Sequence, residues 1–407
     1  MPSEFAVRSL VWQVEIRLDC SDPQMVTVDF SKGRSVMLQR RKSHLFHRLL
    51  SLALLLIGLN SGMQAQDPAL PKMKWTELPS LPNDLGVAGP FAGVHQDALI
   101  VAGGANFPKP VWENDKQWLD DVYILRRSDQ QYQWSRAGKL PRRIAYGCSV
   151  TIDEGVLCMG GADAEQHFAD VFLIRLDEKG TGVVFESFPP LPQACAYGAA
   201  TISNHVVYFV GGQTDSALQS ASQNVWAFDL KKRAKSAEYS WETLAPMPAS
   251  NRAFHILISS ADATDESIFL ISGRRQDDQD EVEFLRDTWQ YRPRDATWDR
   301  CADAPKCLMA GVGVALSSNH LVVLGGADGT LFHRGDELKN RHPGFPKKTY
   351  AYDMRLDRWS DYGSIPANHV TTVAVQWNGA TVIPSGEIRP RVRSPKILSG
   401  SIQSIAE

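Results

Sequence analysis

Cysteine is scarce in this chain, six among 407 residues, and no CxxC step or Cys/His metal spacing occurs. A metal knuckle or a redox dithiol therefore does not organise the fold. Charge of either sign is not in excess: the net charge is -3, without the basic footprint that nucleic-acid binding needs. Long apolar runs are missing too. The strongest, Leu49–Leu59, is too short to span a hydrocarbon layer of ~30 Å comfortably. No segment carries a sustained 3.6-residue apolar period, which argues against a helical domain. What the chain does have is 43% hydrophobic residues, eleven Trp and 23 Pro, a globular composition that leans towards all-β structure.

The apolar run belongs to a leader. Arg40, Arg41, Lys42 and Arg48 precede or open it, and Met63-Gln64-Ala65 follows with a small residue at the end. This is the pattern of a signal peptide over 37–65 cut after Ala65, and it predicts a periplasmic or secreted protein; the competing reading is an uncleaved anchor. Residues 1–36 are then an upstream extension, not native, ahead of a start at Met37. Cys20 lies in that extension. Cys148 and Cys158 sit in apolar strand-like runs and read as small core residues. Cys301 and Cys307 either bridge, as export allows, or stay free.

The body is repetitive. An aromatic residue followed seven positions later by proline occurs six times: Trp75/Pro82, Trp134/Pro141, Phe185/Pro192, Trp241/Pro248, Trp298/Pro305 and Trp359/Pro366. Some 20 to 25 residues after each proline, a small-Gly pair closes an apolar run. The pairs are Gly103-Gly104, Gly160-Gly161, Gly211-Gly212, Ser272-Gly273, Gly325-Gly326 and Ser385-Gly386. Four-strand units of roughly 50 to 60 residues in one phase predict a six-bladed kelch-type β-propeller over 66–407, not a β-sandwich. The array opens on the last strand of a blade, at Trp75, and ends on earlier strands after Gly386. Pairing of the N-terminal strand with the C-terminal blade would close the ring and leave no open edge.

Three stretches carry a specific resemblance: WTELPSLPNDLGVAGPFAGVHQDALIVAGGANFP, LPRRIAYGCSV and IPSGEIRPRVRSPKI. They resemble the N-acetylneuraminate epimerases, also called sialic acid mutarotases, in their cyclically permuted kelch branch. The resemblance covers roughly Lys74 to Ile397. It implies an exported six-bladed propeller that interconverts the anomers of a free acidic sugar without a cofactor or metal. It assigns the proton acceptor to Glu387 and an arginine of the same motif, six residues on, to Arg393. Two departures stand out: the family's arginine before the Ala-Tyr-Gly step is Ile144 here, and ADGTLFHRGDELKNRHPGF is only loosely like the family's acidic insertion.

The chemistry suits the residues. Opening a hemiketal needs a base for the anomeric hydroxyl and an acid for the ring oxygen. Glu387 can serve as the base, and arginines such as Arg393 and Arg389 can hold a sugar carboxylate by paired hydrogen bonds. The same groups can instead be a salt-bridged surface loop. Arg275 and Asn106 near the Gly pairs, and Tyr146, Tyr197 and Arg252 on the strands after the prolines, are further binding candidates. Gln213, Asp328 and Arg274 recur at similar stations, while His255 reads as a satisfied core histidine. The predicted partner is a small acidic sugar, with neither nucleic acid nor, once the leader is cut, membrane. A non-catalytic kelch module binding a carbohydrate or protein is the alternative. A sialidase would need Ser-x-Asp-x-Gly-x-x-Trp boxes, and a kelch copper oxidase a His/Tyr ligand set; neither is recognisable.

Overall fold

The computed structural model describes residues 14–18, 25–30, 34–39 and 70–402 apart from 130, 235–238 and 261–265. The chain forms two compact units, residues 1–69 and 70–407. In the first, strands Val14–Leu18, Met25–Phe30 and Arg34–Gln39 make an antiparallel sheet. Beyond Gln39, the expected leader and its cleavage point lie outside the described residues. No helix among the described residues is long and apolar enough to cross a membrane.

The second unit is a six-bladed propeller. Blade one runs from the inner strand Phe91–His95 through Ala98–Ala102 and Asp121–Ser128 to the outer strand Gln131–Lys139. Blades two to five repeat the order from Cys148, Ala199, Ile256 and Val312. The sixth is Val375–Trp377, Ala380–Pro384, Ile397–Ile402 and then Met73–Leu78, so the N-terminal strand completes the last blade. Its register runs from Ile397 opposite Leu78 to Ile402 opposite Met73.

The apolar runs fall on second strands such as Ala98–Ala102 and Gly155–Met159, buried at every position because a blade packs on each side. The core is accordingly distributed between neighbouring blades. Leu157 and Phe188 of blade two meet Phe209 and Trp241 of blade three, and Leu324 of blade five meets Ile383 and Leu398 of blade six. The repeated tryptophans also fasten blades together. Trp134 Nε1 donates to the Pro79 carbonyl at 2.8 Å, Trp241 to Pro189 at 3.0 Å and Trp359 to Ala302 at 3.0 Å, each across a blade boundary.

The Gly pairs mark another boundary. Gly104 has φ +91°, and a Cβ there would lie 2.8 Å from the Val87 Cβ. Where serine takes the first position, it keeps the positive φ and adds a bond. Val87 N–H donates to Ser385 Oγ at 2.8 Å, and Leu308 N–H to Ser272 Oγ at 2.7 Å.

A ring of six backbone hydrogen bonds encircles the channel. Tyr146 N–H donates to the Gly89 carbonyl, Tyr197 to Tyr146, Phe254 to Tyr197, Ala310 to Phe254, Thr371 to Ala310, and Gly89 back to Thr371, all at 2.7–2.9 Å. All six residues have positive φ, which turns each peptide towards the next blade. The ring residues line two cavities. One, of about 610 Å³, is walled by the inner strands. The other, of about 1140 Å³, opens among the loops that follow the Gly pairs.

Candidate active site

Each blade places one residue by the same device, and four of the six, Gln213, Arg274, Ala327 and Glu387, line the larger cavity. The residue directly after the Gly pair bridges back to the start of its own blade: Ala105 to Ala88, Ala162 to Ala145, Gln213 to Ala196, Arg274 to Ala253, Ala327 to Met309 and Glu387 to Val370. Only Arg274 and Glu387 are charged among these six stations. Both line the cavity.

Glu387 is held by one oxygen. Its Oε1 accepts from the Arg391 backbone N–H at 2.8 Å and from Arg393 Nη1 at 3.1 Å. Among the described residues no hydrogen bond reaches Oε2, and Glu387 lines the cavity. The tight Glu387–Arg393 hairpin, with Arg391 at φ +66°, brings that N–H back to the carboxylate. The sequence pattern of one acid among three arginines is thus a turn wrapped round its own carboxylate.

Arg393 is 8% exposed and engages all three guanidinium nitrogens. Besides Glu387 it donates to the Ala105 carbonyl at 3.3 Å and to the Tyr146 hydroxyl at 3.4 Å, and it stacks on Phe107. Burial alone would lower its pKa, but Glu387 and Tyr146 outweigh that and raise it. Arg391 stacks between Phe107 and Trp112 and donates to the Asn114 carbonyl. Tyr146, Tyr197 and Phe254 form a row of tilted rings, with centroids 4.8 and 4.7 Å apart. Burial, then the neighbouring Tyr146, pushes the Tyr197 hydroxyl well above its ordinary pKa. Lys116 lies over Tyr146 at one end of the row, and Arg274 over Phe254 at the other. The blade-five loop supplies Phe332, His342 and Phe345 to the far wall.

The structure therefore gathers Glu387, Arg393, Tyr146 and Tyr197 at one cavity, and sends four other binding candidates elsewhere. Arg252 is fully buried between blades, bidentate to Asp287 at 2.7 Å and bonded to the Ser250 and Ser272 carbonyls. Arg275 points away from the cavity and pairs with Glu283, because it stands one residue past the cavity station. Asn106 is buried against the Gly86 carbonyl and shapes the loop. Arg389 donates outwards to the Asn340 carbonyl. The station rule identifies Arg274 instead: the residue following the Gly pair is the one that faces inwards, as Glu387 does. Lys116, Phe107 and Trp112 come from an irregular loop with no repeat signal.

His255 is buried beside Gly211, and burial together with Arg252 lowers its pKa to about 3. All five cysteines of the propeller are free; Cys307 is buried against Ser272 and Cys301 is separate from it.

Residues 58–183 match the family model described as N-acetylneuraminate epimerase. An N-acetylneuraminate epimerase of Brucella suis is 34% identical over 150 residues, covering 31% of this chain and 37% of that protein. One from Escherichia coli is 30% identical over 125 residues, covering 28% and 32%. The chain thus spans about a third of the length of the curated relatives it matches. The solved structure of YjhT aligns over 80% of this chain and 99% of its own, with TM-score 0.57 and 15% identity, a likeness of fold. Over residues 58–183 the chain is similar in sequence to the N-acetylneuraminate epimerases.

Proposed function

We propose that this protein is an exported mutarotase that interconverts the α and β anomers of N-acetylneuraminic acid or a related acidic sugar. The observation that carries the reading is Glu387: one carboxylate oxygen tied down and the other reached by no hydrogen bond among the described residues, at a cavity lined by cations and aromatic rings. The relatives' names supply the substrate class.

In the reaction, Glu387 Oε2 takes the proton of the anomeric hydroxyl while a proton is delivered to the ring oxygen. The bond from anomeric carbon to ring oxygen breaks, giving the open keto acid. Rotation about the chain and closure on the other face return both protons, so no electron is gained or lost and no cofactor is consumed. Arg393 keeps Glu387 aimed, since its own donors go to Glu387, Ala105 and Tyr146. The row Tyr146–Tyr197–Phe254 offers a flat face for the sugar ring. Export follows from the basic and apolar leader over 37–65, with cleavage after Ala65 as its test by N-terminal sequencing.

Glu387→Gln keeps the shape and removes the proton acceptor. Catalysed anomer exchange, followed by proton NMR on freshly released α-sugar, should fall by ~10²–10⁴-fold with a cooperative melting transition retained. Exchange at the wild-type rate in that variant would sink the assignment. A non-catalytic carbohydrate-binding propeller would instead bind the sugar and show no acceleration in the wild type.

A further inference from the structure

We infer that Arg274, rather than an arginine of the Glu387 hairpin, anchors the carboxylate of the substrate. This rests on the mutarotase reading and adds the residue that selects an acidic sugar.

The argument is one of prior engagement. Arg393 has the right charge, but each of its three guanidinium nitrogens already donates, to Glu387, the Ala105 carbonyl and the Tyr146 hydroxyl. Arg391 spends one arm on the Asn114 carbonyl and is flanked by Phe107 and Trp112. Arg389 faces outwards to Asn340. Arg274 differs from all three. Its guanidinium lies over the rings of Phe254 at 4.4 Å and Phe332 at 5.0 Å. Among the described residues its side chain makes no hydrogen bond and no ion pair; its Nε is buried and unmet, as those of Arg389 and Arg391 also are.

A desolvated guanidinium with unmet donors in a cavity is a costly arrangement unless an anion arrives to satisfy it. Its ring contacts fix the plane of the fork while leaving the N–H edge available. Arg274 also occupies the same blade station as Glu387, so the two groups face one cavity from different blades. A sugar lying over the Tyr146–Tyr197–Phe254 row would present its carboxylate to Arg274 at the Phe254 end and its anomeric hydroxyl to Glu387. Lys116, at the Tyr146 end of the row, is the other cation there, but it offers a single point charge over Tyr146 and Trp118.

The test compares N-acetylneuraminic acid with its methyl ester, which keeps the ring and the anomeric hydroxyl but lacks the carboxylate charge. Affinity is read by titration calorimetry, anomer exchange by NMR, and folding by melting curves, for the wild type, Arg274→Gln, Arg274→Lys and Arg391→Gln. Arg274→Gln should weaken binding of the acid ten- to hundredfold, the worth of a bidentate charge-assisted pair, and change the ester severalfold at most. Arg274→Lys, which keeps the charge and the stem, should fall between them, so a misfolded Gln variant does not leave the matter open. Arg391→Gln should weaken the acid less than Arg274→Gln. If the wild type binds the acid without exchanging its anomers, the mutarotase reading fails while a selective loss in Arg274→Gln still supports the anchor. Equal affinity of wild type and folded Arg274 variants for the acid overturns the inference, as does a wild type that does not prefer the acid to the ester.

Discussion

Single residues here are readable chiefly through what they leave unpaired. Arg393 and Arg252 look alike in sequence, yet each is already paired, the first with Glu387 and the second with Asp287. Arg252 followed the pattern of a channel residue. Its partner lies 35 positions away on another strand, and no local signal announces such a pair. Asp287 is correspondingly acidic: burial would raise its pKa, but Arg252 and Trp289 lower it. Buried histidines give the opposite kind of consequence. His369 is fully buried beside Gly386, its ring nitrogens have no partner, and burial followed by Lys396 brings its pKa down to about 4. A histidine whose folded pKa lies below its unfolded value costs stability as pH falls, because the unfolded chain takes the proton first. The protein should therefore lose stability from about pH 6.5 down to about 4, where His369 protonates in the fold. His369 alone should account for roughly 2–3 kcal/mol across that window. Urea melts at pH 7 and pH 5 on the wild type and His369→Leu would measure it, and a variant with the same pH slope as the wild type would contradict the account.

At the scale of the element, the repeat was legible because every feature in it has a local cause. The aromatic residue staples a blade to its neighbour, the Gly pair adopts positive φ where backbones approach, and the apolar run is a strand covered on both faces. What the repeat did not reveal was register. Arg275, the candidate read from the repeat, and Arg274, which lines the cavity, differ by one position, and in an extended strand one position reverses the direction of the side chain. Glu387 shares the station of Arg274, since it follows its glycine directly. The serine variants of the pair were visible in sequence but their work was not. Ser385 Oγ lies within hydrogen-bond reach of the Val87 N–H and of the Val87 and Ser394 carbonyls, at the seam where blade six meets blade one. Ser385→Ala should leave that buried N–H without its partner and cost about 1–3 kcal/mol. Denaturant unfolding would show this as a shift of midpoint with unchanged slope. A neutral substitution would mean that the seam does not depend on the hydroxyl.

For the whole molecule the decisive fact is that the ring is closed by strands from the two ends of the chain. The offset of the repeat array, with a lone Trp75 strand first and no tryptophan after Gly386, encoded this closure, because a propeller of four-stranded blades has no other use for a spare outer strand. The structure shows how firmly the seam is made. Strand Met73–Leu78 pairs along its length with Ile397–Ile402, and Trp75 packs over Gly400, where a Cβ would approach its ring to 2.9 Å. Leu81 N–H donates to the Pro395 carbonyl, Tyr362 hydroxyl to the Pro71 carbonyl, and Trp134 to Pro79. Thus the segment touches blades five and one as well as completing blade six. The backbone ring around the channel closes at the same seam, through the Gly89 N–H and the Thr371 carbonyl. Glu387 and Arg393 lie in the last blade, so opening the seam should disturb the cavity as well as the fold. Removing residues 66–82 exposes the Ile397–Ile402 strand as an unpaired edge, a template for association with other chains. The truncated propeller should aggregate, or unfold without a single cooperative transition. A synthetic peptide spanning 66–82, added in trans, should restore both cooperativity and solubility, because the interface it meets is preformed on three blades. Light scattering and melting curves with and without the peptide read the outcome. A truncated chain that melts as sharply and at the same temperature as the full one would show that the ring closes by other means.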